Sequence, residues 1–469
     1  MHFHSLVFAV FLPLVFAGYW GLRSLRLRHA WLLAASYVFY GWWDWRFLGL
    51  IVLSSAVDYV AGQQLARASR RGVRRAWLAA SLAINLGALA FFKYCNFFIA
   101  SLEATLQAAG IGVGLGMLPI ILPVGISFYT FQTLSYTIDI YRGQLQPSRD
   151  PLAFFAYVAF FPQLVAGPIE RAARMLPQFG QLHRFDRQQA VQGLRLMLYG
   201  FFKKIVIADN LARWVDPTYA APEQYPGLPL LLATLGFAVQ IYADFSAYSD
   251  IATGCARLFG FELMRNFHAP YGARSLRDFW ARWHISLSTW FRDYVYIPLG
   301  GNRRRRLRNT VNLLLTFGLS GLWHGASWGF VVWGLIHGLA YAVERTRGRP
   351  SGRVGTLLIV VAAWVFFRAN DLDTALAVFR AMGQGLLLPA PDAWLVWATT
   401  LASPREGLYL LLSLGLLGVL EPYRYRAAGQ RHWLAAPRWQ RWAAYYGLVV
   451  WIAAFGAYET PRVFIYFQF

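Results

Sequence analysis

Residues 228–245 read LPLLLATLGFAVQIYADF and carry a single charged side chain, Asp244, near their end. A second apolar run, GLYLLLSLGLLGVL, occupies residues 407–420. About 20 consecutive apolar residues form a helix long enough to cross the hydrocarbon core of a bilayer. Both runs are continuous rather than alternating, which is typical of membrane helices and not of the strands of a membrane β-barrel.

The composition of the whole chain has the same character. Its 469 residues are 57% hydrophobic and 14% charged, whereas soluble proteins carry about 25% charged residues. Apolar runs recur from end to end, so the sequence predicts an all-α polytopic membrane protein with roughly ten to twelve transmembrane helices. No tandem repeat or separate soluble segment is evident, so residues 1–469 are expected to form a single integral-membrane domain. The run at residues 5–20 lacks a preceding basic region, and we interpret it as a membrane helix rather than a cleaved signal peptide.

The formal net charge of +22 comes from 44 basic and 22 acidic residues, and the arginines cluster between the apolar runs. In a soluble protein this excess would favour nucleic acid as a partner. In a membrane protein it is typical of cytoplasmic loops that face anionic headgroups. The charge therefore predicts a lipid bilayer as partner and argues against nucleic acid.

The positions of these basic loops predict where the chain turns. Residues 30–65 lie between two arginine-rich loops and must cross the membrane twice, turning near GWWDWRF at 41–47. The run at 152–168 also has basic loops on both sides, and its prolines and glycine favour a re-entrant element over a hairpin. Residues 311–344 are expected to enter and return. This topology places both chain ends outside.

Residues 261–310 are too rich in arginine to span a membrane and too aromatic for a free loop. We expect amphipathic, partly inserted helices on the cytoplasmic side. Spacings of three or four residues predict one helix face that carries Trp280, His284, Leu287 and Phe291. Arg292 and Asp293 are expected to form a structural pair.

His324 lies in GLWHGASWGF, residues 321–330, inside a long apolar stretch. Hydrocarbon penalises ionisable groups, so such a residue is by default a candidate for function. The small residues around His324 permit close approach of backbone or substrate, and histidine is the usual general base near neutral pH. His337, in contrast, is more simply explained as a neutral imidazole that forms a hydrogen bond between helices.

Other chemistries have weaker support in the sequence. No second histidine at ligand spacing and no acidic cluster accompany His324, so no metal site is expected. No Gly-x-Ser-x-Gly nucleophile elbow occurs. Cys95 and Cys255 lie in apolar surroundings without a disulfide framework and are expected to be buried thiols.

Five segments carry a resemblance to a known family. They are LPVGISFYTFQTLSYTIDIYRG (122–143), FFPQLVAGPIER (160–171), FWARWHISLSTWFRDYVYIPLGGNR (279–303), GLWHGASWGF (321–330) and FIYFQF (464–469). In their order and content they resemble the membrane-bound O-acyltransferases. The most similar subgroup is the alginate O-acetyltransferase type, which includes proteins of cellulose and other exopolysaccharide acetylation and is related to the teichoic-acid D-alanylation protein.

The resemblance implies an acyltransferase with a catalytic histidine at His324 and a second family-typical histidine at His284. It implies a helix bundle with a central funnel across the bacterial inner membrane. An acetyl group would pass through it from a cytoplasmic thioester to an exopolysaccharide such as alginate or cellulose. Acetyl-CoA would be a donor substrate and not a tightly bound cofactor. The expected partners are a periplasmic serine-dependent, SGNH-like acetyltransferase or esterase and a polysaccharide synthesis complex.

Several alternatives stay open at the level of sequence. A D-alanyl or other acyl group, or a lipid or protein acceptor, would use the same histidine. A polysaccharide-precursor transporter would also have many helices, although transporters usually contain repeated halves with paired broken helices, and the sequence has no such symmetry. A scaffold for a synthase complex would need no catalytic residue.

Two further sets of candidate residues follow from the resemblance. The run Arg303, Arg304, Arg305 and Arg306 is a candidate site for the phosphates of acetyl-CoA, and an anchor on anionic lipid explains the run equally well. Phe464, Tyr466 and Phe469 match F-x-Y-x-x-F, a C-terminal motif implicated in acyl relay in the D-alanylation system. Tyr466 is therefore a candidate nucleophile activated by His324; the alternatives are an interfacial anchor and direct transfer to sugar. His284 either donates to the oxyanion or orients its neighbours.

Overall fold

The computed structural model of the chain describes residues 1–303, 305–387, 392–401, 403–425, 433, 435–458, 462 and 464–465. These residues are predominantly helical and contain no β-strand, which confirms the predicted fold class. The chain divides into two compact units, one of Met1–Arg195 with Ala252–Met264 and one of Leu196–Ile251 with Arg265–Phe469. The single domain expected for residues 1–469 stays a prediction.

The described helices are labelled in chain order. The first ten are α1 (Leu6–Gly21), α2 (Leu25–Asp44), α3 (Leu48–Arg67), α4 (Arg71–Leu89), α5 (Cys95–Ala108), α6 (Ile126–Tyr141), α7 (Pro151–Ala159), α8 (Phe161–Leu164), α9 (Ala172–Phe179) and α10 (Arg187–Phe201). The next eleven are α11 (Asp209–Ala220), α12 (Leu228–Leu258), α13 (Leu276–Trp280), α14 (Ile285–Phe291), α15 (Arg306–His324), α16 (Trp328–Arg347), α17 (Gly352–Arg368), α18 (Leu372–Leu387), α19 (Ala393–Leu401), α20 (Pro404–Tyr425) and α21 (Arg438–Phe455).

The turn predicted near residues 41–47 is confirmed, and the two membrane crossings of residues 30–65 stay a prediction. Helices α2 and α3 are 20 residues long each and are joined by the short helical turn Trp45–Phe47, where the sequence places the turn. At 1.5 Å per residue each helix is about 30 Å long, which matches the hydrocarbon core of a bilayer. Among the described residues, three helical stretches are long and apolar enough to cross a membrane: Leu25–Arg67, Arg71–Ala108 and Leu228–Leu258. The number of crossings stays a prediction.

The core of the first unit is built around α6, which is buried on nearly every side. Buried polar side chains join it to α3 and α4. The Asp58 carboxylate accepts hydrogen bonds from Ser81 Oγ at 2.5 Å and from Asn85 Nδ2 at 3.0 Å, and Ser81 Oγ also lies 3.1 Å from Thr137 Oγ1. Because hydrogen bonds satisfy these groups, polar residues are tolerated among apolar helices.

Residues 152–168 contain the predicted break in the backbone, and their re-entry into the membrane stays a prediction. Helix α7 ends at Ala159 and α8 begins at Phe161, and residues 156–170 are all buried. Non-helical backbone at membrane depth must be buried in protein, and this segment meets that requirement within the first unit.

In the second unit, α15 and α16 form the hairpin predicted for residues 311–344. Glycines let the two helices approach at backbone distance. A Cβ atom at Gly321 would lie 2.1 Å from the Phe330 carbonyl oxygen, and one at Gly334 would lie 2.2 Å from the Phe317 oxygen. The turn of the hairpin, residues 325–327, follows His324 directly. The small residues around His324 therefore allow close helix packing.

Candidate active site

His324 is the last residue of α15 and is 3% exposed. Its ring is surrounded by aromatic rings: the centroids of Trp323 and Trp333 lie 5.0 Å from it, and that of Phe367 lies 5.5 Å from it. These residues come from α15, α16 and α17, so three helices fix the position of the imidazole. Such a site excludes bulk water, which strengthens electrostatic interactions within it.

The structure places His284 differently from the sequence prediction. Helix α13 ends at Trp280 and α14 begins at Ile285, and His284 between them has φ 42° and ψ 54°. The prediction of one continuous helix through Trp280 and Leu287 is therefore wrong. A residue other than glycine rarely adopts positive φ, and such residues cluster at functional sites.

Long-range hydrogen bonds explain this break in the helix. The Asn266 carbonyl oxygen accepts the Ile285 N–H at 2.9 Å, and Asn266 Oδ1 accepts both the N–H and the Oγ–H of Ser286, at 3.2 and 2.8 Å. Asn266 thus caps the start of α14 from a distant part of the chain. The helical periodicity of the sequence gives no indication of this contact between Asn266 and Ser286.

The break brings the two histidines together. The ring centroids of His284 and His324 lie 6.0 Å apart, and Phe245 of α12 packs edge-on against His284 at 4.5 Å. His284 is fully buried. Two imidazoles at this separation are within reach of one carbonyl group, so one can exchange a proton while the other donates a hydrogen bond.

His337 lies on α16 and is fully buried between Trp280 and Trp333, each with a centroid 5.1 Å away. Its predicted place between helices is confirmed. The hydrogen bond expected of it is not found, since neither ring nitrogen has a hydrogen-bond partner among the described residues.

The predicted donor-binding arginines lie away from this pair. Arg303, Arg305 and Arg306 are exposed at the start of α15, and Arg304 lies outside the described residues. His324 ends the same helix, about 27 Å from Arg306 at 1.5 Å per residue. The structure therefore does not bring the described residues of this run to the histidines.

A cavity of about 810 Å³ lies among α13, α14, α15 and α16 and contains a different set of basic residues. Its lining includes Arg277, Arg292, Arg345 and Arg349. The lining also includes Ser288 and Ser320, one helical turn from His284 and His324 respectively. The cavity thus extends from a basic region to residues one helical turn from each histidine, and the two histidines themselves are not among its lining residues.

The electrostatics of this cavity are mainly positive. Arg292 Nε donates to Asp293 Oδ1 at 2.7 Å, which confirms the predicted pair, and this hydrogen bond raises the pKa of the Arg292 guanidinium above its ordinary value. The one carboxylate in the lining, Glu344, accepts the backbone N–H groups of Leu276 at 2.9 Å and Ser351 at 3.0 Å. Its charge is therefore already stabilised by two donors.

The C-terminal candidates are described in part. Tyr466 and Phe469 lie outside the described residues. The Phe464 ring packs 5.7 Å from that of Phe245 and 4.9 Å from that of Tyr248. Since Phe245 also contacts His284, the described part of the chain end approaches the histidine pair.

Sequence reasoning missed a buried ionic network beside this site. Lys203 Nζ lies 2.6 Å from Asp250 Oδ2 and donates to Ser246 Oγ at 2.6 Å, and Asp250 also pairs with Arg424 of α20. Lys203 and Asp250 lie in apolar runs, FFKKIVIAD and YADFSAYSD. The rule that singles out His324, that hydrocarbon penalises ionisable groups, applies equally to these residues and would have found them.

Replacement of Asp250 by alanine is expected to lower the free energy of unfolding by about 3–5 kcal/mol, because Lys203 and Arg424 would lose the carboxylate that pairs with both. The measurement is thermal unfolding of the purified protein in detergent, with the exposed Glu223→Gln as control. An equal, small shift of Tm in both variants would contradict a stabilising role for the network.

Comparison with known proteins agrees with this architecture. Residues 145–349 match the family model of MBOAT, the membrane-bound O-acyltransferase family, and this range contains both histidines and all the lining residues of the cavity except Pro350. The probable alginate O-acetylase of Azotobacter vinelandii is 42% identical over 393 residues, which cover 81% of this chain and 78% of the relative. The chain therefore belongs to the membrane-bound O-acyltransferase family and is an acyltransferase.

Two further relatives show the breadth of the similarity. The probable alginate O-acetylase of Pseudomonas aeruginosa is 42% identical over 81% of this chain and 75% of its own length. The peptidoglycan O-acetyltransferase of Helicobacter pylori is 35% identical over 79% of this chain and 77% of its own length. The names of all three relatives describe O-acetylation of a carbohydrate polymer.

Proposed function

We propose that this protein is a membrane O-acetyltransferase that passes an acetyl group from a cytoplasmic thioester across the inner membrane for O-acetylation of an exopolysaccharide such as alginate or cellulose. The observation that carries the proposal is the pair His284 and His324, 6.0 Å apart and buried, with residues one helical turn from each lining a basic cavity. The carbohydrate acceptor is supported by the names of the relatives.

In the proposed reaction, His324 acts as general base. It takes the proton from the attacking hydroxyl, whose oxygen forms a bond to the thioester carbonyl carbon. The resulting oxyanion accepts a hydrogen bond from His284. Collapse of the tetrahedral intermediate breaks the carbon–sulfur bond, and the leaving thiolate takes the proton from His324, which restores the neutral imidazole.

We propose that the attacking hydroxyl is that of Tyr466. Phe464 packs against Phe245, which itself contacts His284, and two residues span at most about 7 Å of backbone. The acetyl ester of Tyr466 is then attacked by an acceptor hydroxyl, with His324 taking its proton and returning it to the leaving tyrosinate. A periplasmic serine-dependent partner of the SGNH type is proposed as that acceptor, which would load the polysaccharide.

The cavity is the proposed site of the thioester donor. Acetyl-CoA carries several phosphate charges, and arginine binds phosphate with planar, often bidentate hydrogen bonds. The four arginines of the cavity lining replace the run Arg303–Arg306 as the better-placed candidates, since the cavity also reaches Ser288 and Ser320 near the histidines. The exposed run remains suited to anionic lipid headgroups.

Substitutions in these two sets of arginines are expected to have different effects on KM for acetyl-CoA. Arg277→Gln and Arg349→Gln are each expected to raise KM for acetyl-CoA about tenfold, because each loses a charge-assisted hydrogen bond to phosphate. Arg303→Gln, which removes an equal charge from the exposed run, is expected to change KM less than about twofold. The measurement is the initial rate of thioester consumption by protein in vesicles. The opposite order of effects would place the donor at the exposed run.

The direct test of the proposed function is reconstitution of the protein in vesicles with isotope-labelled acetyl-CoA on one side and a soluble serine-dependent acceptor protein on the other. Label on the acceptor across the membrane supports the proposal. Label found in lipid would support a lipid acceptor, and transfer from a D-alanyl thioester in preference to acetyl would assign a different acyl group. Thioester stable in the presence of every acceptor would contradict an acyl-CoA donor.

A further inference from the structure

The chain after α21 is attached to the helical segment around residues 202–210. Asn210 Nδ2 donates to the Phe455 carbonyl oxygen at 2.9 Å, and the Ala457 N–H donates to the Ile205 oxygen at 3.1 Å. Residues 202–208 form a π-helical turn, a form of backbone that is rare and concentrated at functional sites. The first contacts of the chain end thus fall on an irregular helix close in sequence to a pair of buried lysines.

One of these lysines, Lys204, binds two carboxylates. Its Nζ lies 2.8 Å from Asp209 Oδ1 and 2.9 Å from Asp244 Oδ1, and all three residues are buried. Asp209 belongs to α11 and Asp244 to α12, so the lysine joins two helices. A single carboxylate would be enough to neutralise one buried lysine, so the second carboxylate calls for another explanation.

The chain end supplies that explanation. Asp244 Oδ2 accepts the Ile465 N–H at 2.7 Å, and Lys204 Nζ donates to the Arg462 carbonyl oxygen at 3.1 Å. The Arg462 guanidinium pairs in turn with Asp216 of α11. Each partner of the Lys204–Asp244 ion pair therefore also holds one backbone group of residues 462–465. Hydrogen bonds to ionised groups are roughly twice as strong as those between neutral groups.

Asp244, which accepts the hydrogen bond from Ile465, is followed directly by Phe245. The ring of Phe245 contacts both Phe464 and His284. Asp244 and Phe245 are adjacent in α12, so one helical segment fixes the backbone of Ile465 and the ring of Phe464 together. We infer that Lys204 and Asp244 form a clasp, a pair of positioning residues that holds Phe464 and Ile465 beside Phe245, the ring that contacts His284. A role for this clasp in acyl transfer, through the next residue Tyr466, rests on the proposed function.

We expect the clasp to increase the rate of acyl transfer because it orders a short terminal segment. A nucleophile on a free chain end samples many positions, whereas one held near the reacting carbonyl has a high effective concentration. A misplacement of about 1 Å in such a group can lower the rate about a hundredfold. Loss of the clasp is thus expected to lower the rate of acyl transfer without changing donor binding.

The chain offers a matched pair of variants. Asp244→Leu and Asp209→Leu each remove one of the two carboxylates that bind Lys204, and each leaves the lysine with the other. Of the two aspartates, Asp244 is the one that also accepts the Ile465 amide. A comparison of the two variants therefore separates the clasp from the general effect of losing a buried carboxylate.

The first readout is independent of activity: digestion of the purified full chain by a carboxypeptidase, followed by intact mass spectrometry. Release of residues past Ile465 is expected to be about tenfold faster in Asp244→Leu than in the wild type, because a charge-assisted hydrogen bond is lost. In Asp209→Leu it is expected to stay within about twofold of the wild type. Equal rates in all three proteins would overturn the clasp.

A conservative variant keeps the test decisive if Asp244→Leu does not fold. Asp244→Asn retains an oxygen that can accept the Ile465 N–H, but as a neutral and weaker acceptor. Release about threefold faster than in the wild type is expected for it. Release at the wild-type rate from folded Asp244→Asn would contradict the contribution of the charge.

The second readout is acetyl transfer to the acceptor protein. Asp244→Leu is expected to lower kcat about a hundredfold with KM for acetyl-CoA unchanged, and Asp209→Leu is expected to stay near the wild type. Faster digestion with unchanged transfer would confirm the clasp and contradict the relay through Tyr466. Loss of transfer with unchanged digestion would overturn the clasp and leave the relay intact.

Discussion

Replacement of His324 by glutamine is expected to lower acetyl transfer about a thousandfold. A general base at the reacting hydroxyl accelerates proton transfer by about 10²–10⁴-fold, and glutamine cannot accept a proton at neutral pH. The side chain is close to histidine in size, so the aromatic surroundings formed by Trp323, Trp333 and Phe367 are expected to persist. The measurement is the rate of label transfer from acetyl-CoA to the acceptor protein in vesicles.

His337→Gln is the matched control for this result. His337 is also a buried histidine of the α15–α16 hairpin, and it contacts Trp333 as His324 does. Because it has no part in the proposed reaction, its replacement is expected to change the rate less than about threefold. Equal losses in both variants would mean that the hairpin tolerates no polar replacement, and His324 would lose its assignment as general base.

Replacement of Tyr466 by phenylalanine is expected to abolish relayed transfer to the acceptor protein, a loss comparable to that of His324→Gln. The change removes one oxygen atom, the proposed nucleophile, and retains the aromatic ring. The KM for acetyl-CoA is expected to stay unchanged, since the proposed donor site is formed by the cavity among α13, α14, α15 and α16. Rates of acceptor labelling over a range of donor concentrations provide the measurement.

Tyr458→Phe is the control for this substitution. Tyr458 is also a tyrosine beyond α21, is 55% exposed, and donates its hydroxyl hydrogen bond to the Ile452 carbonyl oxygen at 2.7 Å. Its loss is expected to leave the transfer rate within about twofold. Full transfer activity in Tyr466→Phe would contradict the relay and favour direct attack by the acceptor hydroxyl.

The sequence predicts the main fold because hydrophobicity and charge determine it locally. Arginines flank the pair of helices α2 and α3 at both ends, and the turn between the helices, Trp45–Phe47, lies within the predicted residues 41–47. The hairpin of α15 and α16 follows in the same way from an apolar run with glycines at the contact. In these segments each local preference agrees with the final structure.

His284 shows what local patterns miss. The spacing of its neighbours indicates one continuous helix, yet Asn266 accepts hydrogen bonds from the backbone and side chain of Ser286 and so caps a separate helix, α14, that begins after His284. A hydrogen bond between residues 20 positions apart leaves no periodic pattern in the sequence from which it could be predicted. The two histidines could be named from the sequence as candidates, but their separation of 6.0 Å depends on this contact.

The arginines and lysines also show that local sequence patterns do not identify contacts that form only in the folded chain. The run at 303–306, which is conspicuous in the sequence, is exposed in its described positions. The cavity is instead lined by Arg277 and Arg292 from one segment and by Arg345 and Arg349 from another. These pairs become neighbours through the return of α16 along α15. Lys204 and Asp244 are 40 residues apart in sequence and meet only in the folded second unit.

The most direct test of acetyl transfer through Tyr466 is mass spectrometry of the C-terminal peptide. Purified protein is first incubated with isotope-labelled acetyl-CoA in the absence of acceptor. We expect one labelled acetyl group on Tyr466 in the wild type, and none on this peptide in Tyr466→Phe or in His324→Gln. Consumption of the thioester with no label on the peptide in the wild type would contradict the relay. Label on Tyr466 that persists in His324→Gln would contradict the role of His324 as its base.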